Sequence, residues 1–483
     1  MSMRLKIVVL GIVSSVLLGN HIPWCLSQEI NPPPGFTALF NGKDLSGWYG
    51  WSTRDPNELW SMTPEQQAKY KNESIHGGLL DAKGKPTNEH ILAHWRVENG
   101  ELINDGKGLY LTSDKDYRDF ELFLEYKALP KGDSGVYLRG TPQVQIWDPD
   151  EPDPQGLGRA LGSGGLWNNR KGSLGKDPLK KMDRPLGDWN QFKITMIGER
   201  VTIELNGEKV VDHAPLENFF ANQKSGYLAY AKPESNSNSS SKKIPNGNML
   251  DPIYPKGPIQ LQTHGSEIRW RNVFIREIPT EEANRRLAER DNDGYVEWIN
   301  GRDLSNWVGA VNNYEVIDGA IVCKPGKGGD LLTKEEYENF VLRTEFKLPP
   351  AGNNGIAIRT PLNGHSSKDG FELQVIDSDG YNAKHPNAPL KPFQYHGSLY
   401  HCVGAKHGYL RPVGEWNFQE VEVRGQVIKV TLNGTKILDV DIDKLDRSQI
   451  EFLPKGLDNR KGHIGFAGHS DPVAYRSFRV KKL

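Results

Sequence analysis

The chain opens the same way twice. Phe40-Asn41-Gly42-Lys43-Asp44-Leu45-Ser46-Gly47-Trp48 returns as Ile299-Asn300-Gly301-Arg302-Asp303-Leu304-Ser305-Asn306-Trp307. Further on, Arg184-Pro185-Leu186-Gly187-Asp188-Trp189-Asn190 is answered by Arg411-Pro412-Val413-Gly414-Glu415-Trp416-Asn417. Leu205-Asn206-Gly207 lies as far beyond Trp189 as Leu432-Asn433-Gly434 lies beyond Trp416. Near the two ends, Gly257 to Arg271 matches Gly462 to Arg476, setting His264 opposite His469. A repeat with this many anchors in a chain of 483 residues calls for two copies of one domain rather than a single large fold.

Each copy reads as β structure. Phe192 to Ile197 and Val201 to Leu205 alternate apolar and polar residues around a turn at Gly198, and Asn206-Gly207 turns the next hairpin. Glu420 to Val423, Ile428 to Leu432 and Asn433-Gly434 repeat the scheme. Short strands at such regular spacing predict an all-β protein of two tandem jelly-roll β-sandwich domains joined by a short helical linker. The boundaries expected are 33–278 for the first domain, 279–293 for the linker and 294–483 for the second. Thr280 is expected to cap the linker helix, which runs to about Arg290. An insert at 231–256 contains a run of Ser and Asn that cannot bury a core, and it reads as a surface loop. Trp48, Trp307, Trp189 and Trp416 are read as core aromatics tied to turns.

The first residues stand apart from this pattern. Arg4 and Lys6 precede an apolar run from Ile7 to Leu18, short for a bilayer span but suited to an export signal occupying 1–27. The protein is therefore expected in the periplasm or outside the cell, with no membrane-spanning segment. The residues before Cys25 lack the small side chain that usually precedes a lipidated cysteine. Cys323 and Cys402 remain beyond the signal, and two lone buried thiols are preferred to a disulfide. With 60 basic against 61 acidic residues there is no electrostatic case for nucleic acid or an anionic membrane. Twelve Trp and 17 Tyr in a Gly-rich chain suit an uncharged partner such as a carbohydrate.

The chemistry concentrates on two strands per copy. In the second, Gly355 to Arg359 and Phe371 to Asp377 flank a polar loop, and alternation puts Glu372 and Gln374 on one face with Phe371, Leu373 and Val375 on the other. Arg359 is expected to join Glu372 and Gln374 on a groove floor, with Asp377 at the strand end. The first copy offers Val136 to Arg139 and Gln143 to Asp148, where Gln143 replaces the carboxylate of Glu372. An amide can hold a hydroxyl but cannot take a proton, so the first copy either uses another base or only binds. Its candidate binding residues are Arg139, Gln143, Gln145, Asp148, Trp167 and His264. Those of the second are Gln374, Tyr400 and His469. His385, His396, His401 and His407 crowd one stretch, which offers one or two of them for proton transfer or for a divalent metal.

The opening motif, the Gly-x-x-x-Arg and Glu-x-Gln-x-x-Asp strands, the Pro-x-Gly-Glu-Trp-Asn turn and the closing Gly-Pro-Ile-x-Leu-Gln-x-His-Gly together resemble the 3-keto-disaccharide hydrolase domain family, once per copy. The resemblance implies a concanavalin-like sandwich and cleavage of glycosides already oxidised at C3. A ketone at C3 acidifies the C2 proton, so a modest base can start an elimination of the C1 substituent, with water adding afterwards. On this reading Glu372 or a nearby histidine is the base, and His396 or Asp377 assists the leaving oxygen. Arg359, with or without a divalent ion, steadies the enediolate. Two other classes fit the residues: an endo-glucanase-like hydrolase cutting unoxidised polysaccharide with spaced acids, and a non-catalytic glycan-binding protein.

Overall fold

The structure, a computed structural model, describes residues 31–224 and 249–483; the expected export signal at 1–27 and residues 231–248 of the expected surface-loop insert lie outside the described residues. The alternating segments form four antiparallel sheets, two in each half. In the first half an eight-stranded sheet runs through Glu208–Pro215, Arg200–Leu205, Asn190–Ile197, Phe120–Ala128, Ile268–Glu277, Glu101–Asn104 and Trp95–Glu98, with Thr37–Ala38 added on Ile268–Glu277. In the second half Thr435–Asp441, Val427–Leu432, Trp416–Arg424, Phe340–Lys347, Ala474–Lys482, Ala320–Cys323 and Tyr314–Ile317 repeat that order, and Val296–Glu297 takes the place of the added strand.

A five-stranded sheet faces each of these. Its order is Trp48–Trp51, Tyr110–Ser113, Gln260–Leu261, Asp133–Leu138, Thr141–Trp147 in the first half. In the second it is Trp307–Gly309, Gly328–Tyr337, Gly462–His469, Asn353–Thr360, Phe371–Ile376. The chain is thus two jelly-roll sandwiches of one topology. Period-two alternation is the cause: Leu342, Phe346, Val421 and Val430 face Ile356, Phe371, Leu373, Val375 and Phe466 in one core, while Leu122, Leu124, Ile194 and Ile203 face Val136, Val144 and Ile146 in the other. Each such side chain contributes about 1.5–3 kcal/mol on burial, and the opposite row of each five-stranded sheet is left to carry polar groups.

A helix at Thr280–Glu289 joins the halves. Ala283, Leu287 and Ala288 pack with Ile197 and Ile278 of the first half and Phe418 of the second. Thr280 does not cap this helix. It is the first helical residue, and its hydroxyl donates to Glu415 Oε2 at 2.6 Å, across to the second half. The Gly198 turn meets the Asn433-Gly434 turn so closely that a Cβ on Gly198 would lie 2.4 Å from Asn433 O. Arg411 adds a buried tie, 3.4 Å from Asp119 and donating to Asn284 Oδ1 at 3.2 Å.

Two further features depart from the sequence reading. A further helix, Pro64–His76, starts at a Thr63/Gln66 capping box and packs over Trp48–Trp51, where Tyr49 and Trp51 cluster with Leu59, Met62 and Tyr70. Trp48 and Trp307 are core residues, but Trp189 and Trp416 lie partly exposed between cations: Lys127 and Arg271 over the first, Lys347 and Arg476 over the second. Cys323 and Cys402 are buried free thiols. Among the described residues no helix is long and apolar enough to cross a membrane.

Candidate functional site

The outward row of the second five-stranded sheet carries the strongest constellation. Core packing of Phe371, Leu373 and Val375 forces Glu372 and Gln374 outward. Cross-strand from them stand Ala357 and Gly355, small enough to leave room. A Cβ on Gly355 would lie 2.5 Å from Glu372 Oε1, so glycine is what allows the carboxylate to lie flat over its neighbour strand. Glu372 Oε1 accepts from Gln374 Nε2 at 3.0 Å and faces His469 Nε2 at 3.2 Å. Its other oxygen is buried without a protein partner. The Glu372 side chain has no exposure, whereas His469 is 39% exposed. The carboxylate below holds His469 above its ordinary pKa, against the burial that would lower it. Tyr400 stands beside them partly exposed, its backbone N–H donating to Glu372 O at 2.9 Å. A half-exposed imidazole seated on a buried carboxylate can take or give a proton to a ligand lying on this face.

The first copy keeps the frame. Gln143 and Gln145 are buried in the equivalent row, and Gln143 Nε2 donates to Gln145 Oε1. Trp167 replaces Tyr400, its backbone N–H donating to Gln143 O at 3.1 Å, with its ring edge-on to Trp147 and Lys176 Nζ 3.4 Å above it. His264 lies where His469 does, with its Nδ1 3.4 Å from Asp133 Oδ2. Asp133 was not singled out in the sequence. Its signal is the alignment of Asp133-Ser134-Gly135 with Asn353-Asn354-Gly355, in which a carboxylate stands opposite an amide.

The description "3-keto-alpha-glucoside-1,2-lyase-like domain" matches residues 35–276 and again 294–481. The chain belongs to this family, in two copies. It is 28% identical to a 3-keto-disaccharide hydrolase of Bacteroides thetaiotaomicron over 235 residues, 40% of this chain and 80% of that protein. Two crystal structures of candidate glycosyl hydrolases from Parabacteroides distasonis are 25% and 26% identical, covering 40% and 39% of this chain and 96% and 99% of theirs, with TM-scores of 0.37 and 0.34. Membership of the 3-keto-glucoside lyase-like family makes this a carbohydrate-active protein.

Against the family frame, several residues expected at the site have other work. Arg359 sits in a bulge with φ 48°, and its guanidinium donates to Gln426 Oε1 and to the carbonyls of Asn459, Glu338 and Gly425. It ties turns at the sandwich end and does not join Glu372. Arg139 does the same in the first copy, donating to Asp119 Oδ1 at 3.1 Å and to the carbonyls of Arg118 and Tyr254. Asp377 accepts from Ala351 N at 2.8 Å and Gly380 N at 3.1 Å, bracing a positive-φ turn and capping the helix Ser378–Lys384. Asp148 braces Lys131 identically, at 3.0 Å. His396 is buried between Phe346 and Gln419, its Nε2 donating to Gln419 Oε1 at 2.9 Å, and burial pushes it down to about 4. It is a neutral core histidine.

The other histidines do not converge. His385 bonds Tyr381 O, His401 lies among Phe393, Tyr400 and Phe452, and His407 stacks on Tyr395. Among the described residues no three His, Cys, Asp or Glu side chains are gathered to hold a metal ion. The donors at Glu372 are one carboxylate, one amide and one imidazole, so the residues present do not fit a resident divalent ion.

Proposed function

We propose that this protein is an exported enzyme that cleaves 3-keto-glycosides by proton abstraction at C2. The observation that carries the reading is His469, half exposed and held at 3.2 Å on the buried Glu372 carboxylate, on the polar row of the sheet. With a ketone at C3, the C2–H bond breaks toward the His469 imidazole and its electron pair passes into a C2=C3 enediolate. Collapse of the enediolate restores the C3 carbonyl, forms C1=C2 and expels the C1 oxygen, which takes a proton back. Addition of water across C1=C2 completes a net hydrolysis. Glu372 orients the imidazole and stabilises its protonated form; proton transfer by a side chain positioned in this way is worth about 10²–10⁴ in rate. Gln374 fixes the carboxylate, and Tyr400 offers a partly exposed ring at the rim.

The conventional glycosidase reading is less well supported, because it needs two carboxyl groups roughly 5–10 Å apart across the bond. Glu372 is here, but Asp377 is committed to backbone amides. Export is supported by the basic residues Arg4 and Lys6 ahead of the apolar run. The test is aglycone release from a 3-keto-glucoside and from its unoxidised parent, with the mature protein. Release from the keto compound alone is expected; release from the parent at a similar rate would replace this reading with ordinary glycoside hydrolysis.

A further inference from the structure

Gln143 leaves the first copy either to use another base or only to bind, and its outward row does hold a carboxylate. Asp133 lies two residues before Gly135 on the strand beside Gln143, on the same face, where the second copy has Asn353. Asp133 Oδ1 accepts from Gln145 Nε2 at 2.9 Å, and Oδ2 lies 3.4 Å from His264 Nδ1. In the second copy the carboxylate of Glu372 accepts from Gln374 and faces His469. Gln145 corresponds to Gln374 and His264 to His469. The glutamine and the histidine have stayed, and the carboxylate has moved to the neighbouring strand.

A surface ion pair would explain Asp133 and His264 alone, but not the rest of the row. Gln145 is 3% exposed and directs its amide at Asp133. Leu261 is in the core, so Gln260 and Gln262 project onto the same outward face. Both are buried, and the Oε1 of each has no protein partner. Two orphan acceptors on the face that carries a carboxylate and an exposed imidazole suit a ligand rich in hydroxyl groups. Arg159, 3.4 Å from Asp133 Oδ2, adds a cation to this row.

We propose that the first copy is a second proton-transfer site for the same substrate class, with His264 as the proton carrier and Asp133 as its positioning residue. This rests on the 3-keto-glycoside reading. The C2 proton passes to His264 as the C2–H electron pair forms C2=C3 and the carbonyl pair moves onto the C3 oxygen; return of that pair restores the carbonyl, forms C1=C2 and breaks the C1–O bond, and the leaving C1 oxygen recovers a proton. Water is the only co-reactant. Asp133 and Arg159 are the charged groups facing His264, the first favouring its protonated form and the second opposing it.

The test uses the full chain with Glu372→Gln, Asp133→Asn and both changes, assayed on a 3-keto-glucoside with a chromogenic aglycone. Glu372→Gln is expected to leave measurable turnover, which Asp133→Asn in the same chain lowers a further 100-fold or so, in the range of lost acid–base assistance. The pH midpoint of that residual turnover is expected to drop when Asp133 is changed, a shift that a merely structural role would not produce. His264→Gln, at a side chain 60% exposed, gives the same loss should the Asp133 variant fail to fold. An active wild type whose Glu372→Gln variant is already at background overturns the second site alone. A wild type inactive on the oxidised sugar overturns this proposal together with the reading on which it rests.

Discussion

Gly355 offers a direct handle on the site, because the three atoms nearest to a Cβ there all belong to the Glu372 side chain. A Cβ there would meet Glu372 Oε1 at 2.5 Å, Cγ at 2.7 Å and Cδ at 2.9 Å. Real Cβ contacts need about 3.4 Å or more, so Gly355→Ala must drive Glu372 outward by roughly 1 Å, a displacement able to cost about 100-fold in rate. Backbone strain adds nothing, since Gly355 has no positive φ. Overpacking of this kind costs about 1–3 kcal/mol, or roughly 2–12 °C in Tm for a domain of this size. The assay has three readouts on one variant: kcat on a 3-keto-glucoside, the titration midpoint of His469 by proton NMR, and thermal unfolding. The account expects kcat to fall about 100-fold, the His469 midpoint to drop toward its ordinary value as the carboxylate retreats, and the protein to stay folded. A folded Gly355→Ala protein with wild-type kcat and an unchanged His469 midpoint would refute the assignment of Glu372 to the site.

Other expectations concern charge and burial. His396 is buried neutral at about 4 against an ordinary 6.5; below pH 6.5 the unfolded chain takes a proton the folded one refuses. Stability should therefore fall by roughly 3 kcal/mol as pH drops from 6.5 to about 4, and urea midpoints should lose part of that slope in His396→Gln. His469 shifts the other way: its stabilising ion pair is complete below 6.5 and is lost as pH rises through its raised value, while the neutral base form, and so turnover, should increase over that interval. Arg359→Leu should strand the acceptors Gln426, Asn459, Glu338 and Gly425 and destabilise the second half by about 3–5 kcal/mol. Turnover per folded molecule should be unchanged, as a kcat measured well below the Tm would show.

The architecture was legible because repeated turns and period-two patterning act locally. The outward pair Glu372 and Gln374 followed from alternation alone, since the apolar row has only one place to go. Arg359 and Arg139 misled because a bulge at each, with φ 48° and 55°, breaks the alternation that would have put them on the polar face. The helix Pro64–His76 was readable in principle from Thr63, Pro64 and Gln66, but its packing over Trp48–Trp51 was not. The pairing of Glu372 with His469 joins positions far apart in the chain through the sheet order, and strand spacing carries no trace of it. Asp133 escaped for a related reason: its carboxylate stands on the strand next to Gln143's, and its contacts to Gln145 and His264 are made only through the sheet.

Everything proposed for this face turns on the removal of a proton from C2 of an oxidised sugar. Incubating the protein with a 3-keto-glucoside in deuterium oxide and reading the recovered sugar by NMR and mass spectrometry tests it most directly. The account predicts deuterium at C2 of the product, with incorporation abolished when His469→Gln and His264→Gln are combined. Cleavage that leaves the C2 hydrogen in place would contradict it.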